Sequence, residues 1–153
     1  MTPNESLKPT RSARGLVRPS GYSGKPLAQK LGIKASFRIK TGNAPQDYLE
    51  LLGPLPEGVV ISPRLRYPVD LWHLFAASRR GLGRQLGACL EQIRQDGMIW
   101  VSWPKKSSGV VSDMTEDAVR EFALPLGLVD VKVCAVDATW SGLELVIRKE
   151  LRR

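Results

Sequence analysis

The chain has 153 residues, and its 42% hydrophobic and 25% charged residues are typical of one globular domain. The apolar stretches are far shorter than the roughly 20 residues of a membrane-spanning helix, and the N-terminus predicts no signal peptide, so we expect a cytoplasmic protein without membrane contact. One histidine, His73, and two unclustered cysteines, Cys89 and Cys134, argue against a zinc site and indicate reduced, buried thiols.

The net charge of +8 is concentrated near the N-terminus, because residues 1–30 carry six basic side chains and a single acid, Glu5. The same segment is rich in proline, serine, threonine and glycine. We therefore predict a disordered basic arm at residues 1–20, followed by a single α/β domain at residues 21–153. Such an arm can contact nucleic acid weakly and non-specifically through its charge, although a solvated, flexible arm is the simpler interpretation.

Helix and strand patterns alternate along the predicted domain, and proline, glycine and capping residues mark their boundaries. Ser78 and Thr115 are suitable N-caps, whereas Asp96-Gly97 and Pro104 end the elements that precede them. In chain order, we predict a helix at 26–31, strand 1 at 37–40, a helix at 45–52, strand 2 at 59–61, strand 3 at 69–76, a helix at 78–95, strand 4 at 98–103, a helix at 115–124, strand 5 at 129–136 and strand 6 at 143–147.

This alternation, with several strands that are near-continuous apolar runs, predicts a mostly parallel sheet covered by helices on both faces. The connection at residues 137–142 is too short for a crossover, so the last two strands should form an antiparallel hairpin. Right-handed crossovers then favour the strand order 2-1-3-4-6-5, with the reversal between strands 1 and 3. The predicted fold class is a three-layer, Rossmann-like α/β domain.

Three groups of residues stand out along the domain: Gly21-Tyr22-Ser23-Gly24 with Leu31-Gly32-Ile33-Lys34, then Trp100-Val101-Ser102-Trp103-Pro104-Lys105-Lys106, and then Trp140-Ser141-Gly142-Leu143. Over about residues 20–150 the chain resembles a bacterial domain-of-unknown-function family (number 3052). The resemblance implies a shortened class I methyltransferase fold, and it implies no particular activity.

Methyltransferases of that fold hold S-adenosylmethionine with a glycine-rich turn after strand 1 and an acidic residue after strand 2. Here the turn at residues 42–45 has one glycine, and strand 2 is followed by Ser62-Pro63-Arg64, without a carboxylate. The segment at residues 75–78 also lacks the Asn/Asp-Pro-Pro-aromatic group that binds an acceptor nitrogen in amino methyltransferases. We therefore expect no S-adenosylmethionine cofactor, because function follows the site and not the fold.

Other motifs in the sequence have simple structural explanations. The GxGxxxG spacing at residues 81–87 lies inside a predicted helix instead of a strand–helix turn. The Ser102-x-x-Lys105 spacing lies on a strand, where the two side chains cannot share a face as they would on a helix. His73, in the middle of strand 3, is interpreted as a hydrogen-bonded core residue.

Position in the predicted sheet gives the strongest functional indication. Ligands of open parallel sheets bind at the carboxyl ends of the strands, near the reversal of strand order. Basic, hydroxyl-bearing and aromatic residues follow these strand ends, as an anionic ligand would require. The candidate ligand-binding residues are Asn43, Arg64, Arg79, Trp103, Lys105, Lys106, Ser107, Trp140 and Ser141. The alternative is a solvated basic rim whose tryptophans only pin the loops.

The sequence favours a non-catalytic domain of degenerate methyltransferase type that binds a small anionic ligand or a protein partner through this basic edge. Two alternatives stay open. One is an enzyme that acts on a phosphorylated or adenosyl-type small molecule through Lys105, His73 and Trp140. The other is a nucleic-acid accessory protein that uses the basic arm.

Overall fold

The computed structural model describes residues 24–153. The predicted arm at residues 1–20, and residues 21–23 of the predicted domain, lie outside the described residues. The helices and strands are α1 (Leu27–Lys30), β1 (Arg38–Gly42), α2 (Tyr48–Leu52), β2 (Val60–Ser62), β3 (Val69–Phe75), α3 (Arg79–Gln92), β4 (Ile93–Pro104), α4 (Glu116–Ala123), β5 (Leu128–Ala135) and β6 (Trp140–Ile147). Short 3-10 helices lie at Lys106–Ser108, Leu124–Leu126 and Lys149–Leu151.

The six strands form one sheet in the order β2-β1-β3-β4-β6-β5. Strands β1 to β4 are parallel to their neighbours, whereas β6 is antiparallel to both β4 and β5. This arrangement confirms the predicted α/β fold class, the strand order and the C-terminal antiparallel hairpin. The reversal of strand order lies between β1 and β3.

Helices cover both faces of the sheet because the central strands are apolar on both sides. On one face, Leu82 and Leu86 of α3 and Val119 of α4 pack against the sheet. On the other face, Leu27 of α1 and Leu52 of α2 do the same. Within residues 24–153, no helix is both long and apolar enough to cross a membrane.

The boundary between α3 and β4 differs from the sequence prediction. We expected a helix to residue 95, but α3 ends at Gln92 and β4 begins at Ile93, which pairs with Val69 of β3. The pairing shifts after Val69, and an added Cβ at Gly97 would lie 3.1 Å from the carbonyl oxygen of Asp70. The Asp96-Gly97 signal therefore marks an irregularity inside a strand and not the end of a helix.

Side-chain caps define the starts of the two longer helices. The Ser78 hydroxyl accepts a hydrogen bond from the Gly81 amide at 3.0 Å, and the Thr115 hydroxyl accepts one from the Ala118 amide at 3.0 Å. Both caps agree with the sequence prediction, because short hydroxyl side chains satisfy amides that have no partner within the helix. These two helix starts lie beside the carboxyl edge of the sheet, where the candidate site is found.

Candidate functional site

The loop after β4 and the turn between β5 and β6 lie side by side at the carboxyl edge of the sheet. Pro104 pairs with Trp140 in the β4–β6 register, and the Lys105 amide donates a hydrogen bond to the Thr139 carbonyl at 2.7 Å. The turn is ordered from within, since the Asp137 carboxylate accepts hydrogen bonds from the amides of Thr139 and Trp140, both at 2.8 Å. The edge is therefore built from two mutually supported loops.

An open cleft of about 510 Å³ lies at this edge between the end of β4 and the start of α4. We call it the edge cleft. It is lined by Trp103, Pro104, Lys105, Lys106, Met114, Thr115, Glu116, Asp117, Arg120 and Ser141. The structure thus brings together Trp103, Lys105, Lys106 and Ser141 from the predicted site.

Local chain geometry explains how these residues meet. Trp103 lies opposite Ser141 in the β4–β6 register, so both side chains point to the face that α3 and α4 cover. The Trp103 side chain is only 7% exposed and forms part of the core beneath the cleft. Pro104 ends β4, and the following 3-10 helix at Lys106–Ser108 turns the chain outward before Gly109, whose φ is 81°.

The two sides of the edge cleft carry opposite charge. Lys105 and Lys106 lie on the β4 side. On the α4 side, Arg120 forms ion pairs with Glu116, with Asp117 at 3.0 Å and with Asp130 at 3.1 Å. These hydrogen bonds, chiefly the one to Glu116, raise the pKa of the Arg120 guanidinium. One arginine cannot neutralise three carboxylates, so an anionic group is favoured only on the Lys105–Lys106 side.

Trp140 lies apart from the edge cleft, although the sequence analysis places it in one crevice with Trp103. Its indole packs edge-on against Phe75, with ring centroids 5.0 Å apart, on the face covered by α1 and α2. The reason is strand alternation, since Trp140 pairs with Pro104 and its neighbour Ser141 pairs with Trp103. Lys105 and Trp140 therefore share an edge of the sheet but not a face.

The other predicted residues are distributed along the same edge, outside the cleft. The Asn43 side chain donates a hydrogen bond to the Phe75 carbonyl at 3.3 Å. The Arg79 amide donates to the Asp113 carboxylate at 2.8 Å, and its guanidinium lies 3.5 Å from Glu121. Arg64 follows β2, the outermost strand, and Ser107 lies on the exposed 3-10 helix.

His73 is fully buried in the middle of β3, in agreement with its interpretation as a hydrogen-bonded core residue. Its Nδ1 lies 2.8 Å from the Tyr48 hydroxyl, and its Nε2 lies 2.7 Å from the Ser102 hydroxyl. Burial lowers the pKa of His73 to about 3, so the ring is neutral at physiological pH. With both nitrogens engaged inside the core, His73 has no route to a ligand at the carboxyl edge.

The sequence analysis assigned the acidic residues at the start of α4 to capping alone and did not place them in the site. A right-handed crossover after β4 returns the chain so that the next helix begins near the carboxyl edge. That topological signal could have placed Thr115, Glu116 and Asp117 beside Lys105. Among residues 24–153, no group of three or more histidine, cysteine or acidic side chains could hold a metal ion.

Comparison with solved structures shows the class of fold. A protein of the NADB-Rossmann superfamily from Streptococcus agalactiae has a TM-score of 0.52 at 9% identity and aligns over 84% of this chain and 71% of its own. The M1A22 tRNA methyltransferase of B. subtilis has a TM-score of 0.53 at 10% identity, over 79% and 65%. Aeropyrum pernix fibrillarin, with natively bound S-adenosyl-L-methionine, has a TM-score of 0.51 at 15% identity, over 78% and 73%.

These similarities define a Rossmann-like fold of the methyltransferase type. At such low identity they show the fold alone. No family model matches the chain, so membership of the bacterial family of unknown function stays a prediction. No curated protein matches it either.

Proposed function

We propose that this chain is a ligand-binding domain with a methyltransferase-like fold, which holds an anionic small molecule at the edge cleft and transfers no methyl group. The observation that carries the proposal is the meeting of Lys105, Lys106, Trp103 and Ser141 in one cleft. The cleft lies at the carboxyl edge, where open parallel sheets bind their ligands.

The edge cleft favours a ligand with its negative charge at one end. Its volume of about 510 Å³ is in the range of small-molecule and cofactor sites. The ammonium groups of Lys105 and Lys106 suit a phosphate or carboxylate, and the Ser141 hydroxyl offers a further hydrogen bond. Glu116 and Asp117 on the α4 side repel a second anionic group, which favours a neutral or cationic part there.

Three observations argue against methyl transfer. The end of β2, at Ser62 and Arg64, offers no carboxylate for a ribose. The Asn43 side chain joins the end of β1 to the Phe75 carbonyl of β3, across the reversal of strand order. An added Cβ at Gly42 would lie 2.6 Å from the Trp72 ring, so core packing already explains the glycine after β1.

A thermal-shift panel tests the proposal with pyrophosphate, ATP, glucose 6-phosphate and S-adenosylmethionine as probes. A ligand at about 100 times its dissociation constant stabilises the fold by about 2.7 kcal/mol. We expect a phosphate-bearing probe to stabilise the wild type and not the double variant Lys105→Ala/Lys106→Ala. Both variants compared here should unfold near the wild-type temperature without ligand, because exposed charges contribute little to stability.

The matched control is Lys149→Ala/Arg153→Ala, which removes the same charge near the C-terminus, beyond β6. It should respond to the probe as the wild type does. An equal response of the Lys105→Ala/Lys106→Ala variant would overturn the assignment of the site. Stabilisation by S-adenosylmethionine alone would favour the enzyme alternative, since fibrillarin of similar fold holds that cofactor.

A further inference from the structure

A carboxylate is buried on the α1–α2 face of the sheet without a partner. The side chain of Glu144, in β6, is only 8% exposed and has no hydrogen bond or ion pair with any other residue in 24–153. Burial raises the pKa of this carboxyl group. Buried charges are normally paired, because an unpaired one loses its hydration without compensation. Glu144 is therefore an exception that requires an explanation.

The strand beside Glu144 is irregular at the same level. The register of β5 with β6 shifts between Asp130 and Val133, so Val131 and Lys132 together lie opposite Glu144. The Lys132 charge lowers the pKa of Glu144, yet the two side chains form no ion pair. A bulge with a lysine protects an outer strand from aggregation. That role accounts for Lys132 but leaves the buried carboxylate unexplained.

An open cleft of about 340 Å³ lies over this part of the sheet, between α1 and β5. We call it the edge-strand cleft. It is lined by Lys25, Gln29, Lys30, Lys132, Val133, Cys134 and Ala135. Its lining places three lysines around an opening whose neighbour in the sheet is the buried Glu144.

Cys134 connects the lysines of the edge-strand cleft with Glu144. It lies opposite Gly142, two residues before Glu144 and on the same face of β6. The charges of Lys30, Lys132 and Glu144 all act on the Cys134 thiol, which places the four side chains within electrostatic reach. Lys30 is held at the strand by a hydrogen bond from its Nζ to the Ala135 carbonyl at 2.7 Å.

We propose that the edge-strand cleft binds a small zwitterion, whose ammonium group pairs with Glu144 and whose carboxylate or phosphate lies between Lys30 and Lys132. A simple anion would leave the buried carboxylate unpaired, and a simple cation would be repelled by the lysines. Only a ligand with both charges satisfies Glu144 and the lysines together. This site uses other residues and the other face of the sheet, so it does not depend on the proposed function of the edge cleft.

Cys134 provides a direct reporter of occupancy. It lines the edge-strand cleft and is partly exposed, whereas Cys89 is fully buried, so a thiol reagent such as DTNB should modify Cys134 first. Burial raises the pKa of Cys134 to about 11, so the reaction is best followed at alkaline pH. We expect millimolar phosphoethanolamine or glycine to slow this modification at least tenfold. Inorganic phosphate and ethylamine, which carry one charge each, should not slow it.

Substitutions at the carboxylate decide between a ligand site and a merely buried charge. Glu144→Gln should stay folded and lose the protection of Cys134 by the zwitterions, while the exposed control Glu150→Gln should keep it. Lys132→Ala should weaken the protection as well. No protection by any zwitterion, equal protection by phosphate alone, or full protection in Glu144→Gln would each overturn the proposal. Lys105→Ala/Lys106→Ala should leave the protection unchanged, so failure here and failure at the edge cleft are distinguishable.

Discussion

At the scale of single residues, the buried polar groups separate into two kinds. The chain from Tyr48 through His73 to Ser102 is fully hydrogen-bonded and links α2 to the two central strands. Burial raises the pKa of the Tyr48 hydroxyl and lowers that of His73, so both groups stay neutral. Glu144, in contrast, has no such partner. The first kind explains stability, and the second indicates a site.

The His73 chain predicts a specific acid sensitivity. The unfolded histidine takes up a proton below its usual pKa of 6.5, whereas the folded one stays neutral down to about 3. The unfolded state therefore binds more protons in this range, and the free energy of unfolding should fall by about 1.4 kcal/mol per pH unit as the pH decreases from 6.5 towards 3. Urea unfolding of the wild type and of His73→Gln at several pH values measures this slope. An equal slope in both proteins would contradict the assignment.

Glu144 predicts a pH dependence of the opposite sign. Its pKa is raised in the folded state, so the folded protein binds the proton more tightly, and this contribution to stability is lost as the pH rises through the folded pKa. Glu144→Gln should therefore stabilise the ligand-free protein by about 1 kcal/mol at neutral pH. The gain should shrink in acid, where wild-type Glu144 is protonated. Thermal unfolding at both pH values checks this, and a destabilised Glu144→Gln at neutral pH would contradict it.

At the scale of elements, close packing determines which glycines can be replaced. An added Cβ at Gly42, the last residue of β1, would lie 2.6 Å from the Trp72 ring and 2.9 Å from the Leu74 side chain. At Gly87 in α3 nothing lies within 4 Å. The glycine that resembles part of a cofactor-binding turn is thus required by the core, and the one in the helix is not.

These two glycines give a matched pair of substitutions. Gly42→Ala should destabilise the fold by about 1–3 kcal/mol through overpacking. Gly87→Ala should leave stability unchanged or raise it by up to about 1 kcal/mol, because alanine favours the helix. Chemical denaturation measures both free energies of unfolding. A Gly42→Ala variant as stable as the wild type would remove the packing explanation and reopen a ligand role for that turn.

The same scale shows what the sequence could predict. The caps at Ser78 and Thr115 and the short connection of the hairpin are local signals, and they gave correct elements. The α3–β4 boundary was missed because residues 93–95 fit a helical pattern, while tertiary pairing of Ile93 with Val69 extends the strand. The separation of Trp103 from Trp140 was also missed, since it depends on the β4–β6 register, which the sequence does not specify.

At the scale of the whole molecule, topology made the location of the edge cleft predictable. Right-handed crossovers fixed the strand order, and this order placed the loops after β4 and β5 at one edge. The contribution of α4 and the charge difference across the edge cleft were not predicted. They depend on how Arg120 pairs with three carboxylates brought together by packing, two from α4 and one from β5.

Titration calorimetry at physiological salt tests the central claim, that the edge cleft binds an anion through Lys105 and Lys106 on a fold that has lost its methyl-transfer cofactor. We expect pyrophosphate to bind the wild type and to bind Lys105→Ala/Lys106→Ala at least tenfold more weakly, a loss of about 1.4 kcal/mol or more. S-adenosylmethionine should give no saturable heat with either protein. A dissociation constant for S-adenosylmethionine near one micromolar, about −8.2 kcal/mol, with no difference between the two proteins for pyrophosphate, would contradict the account.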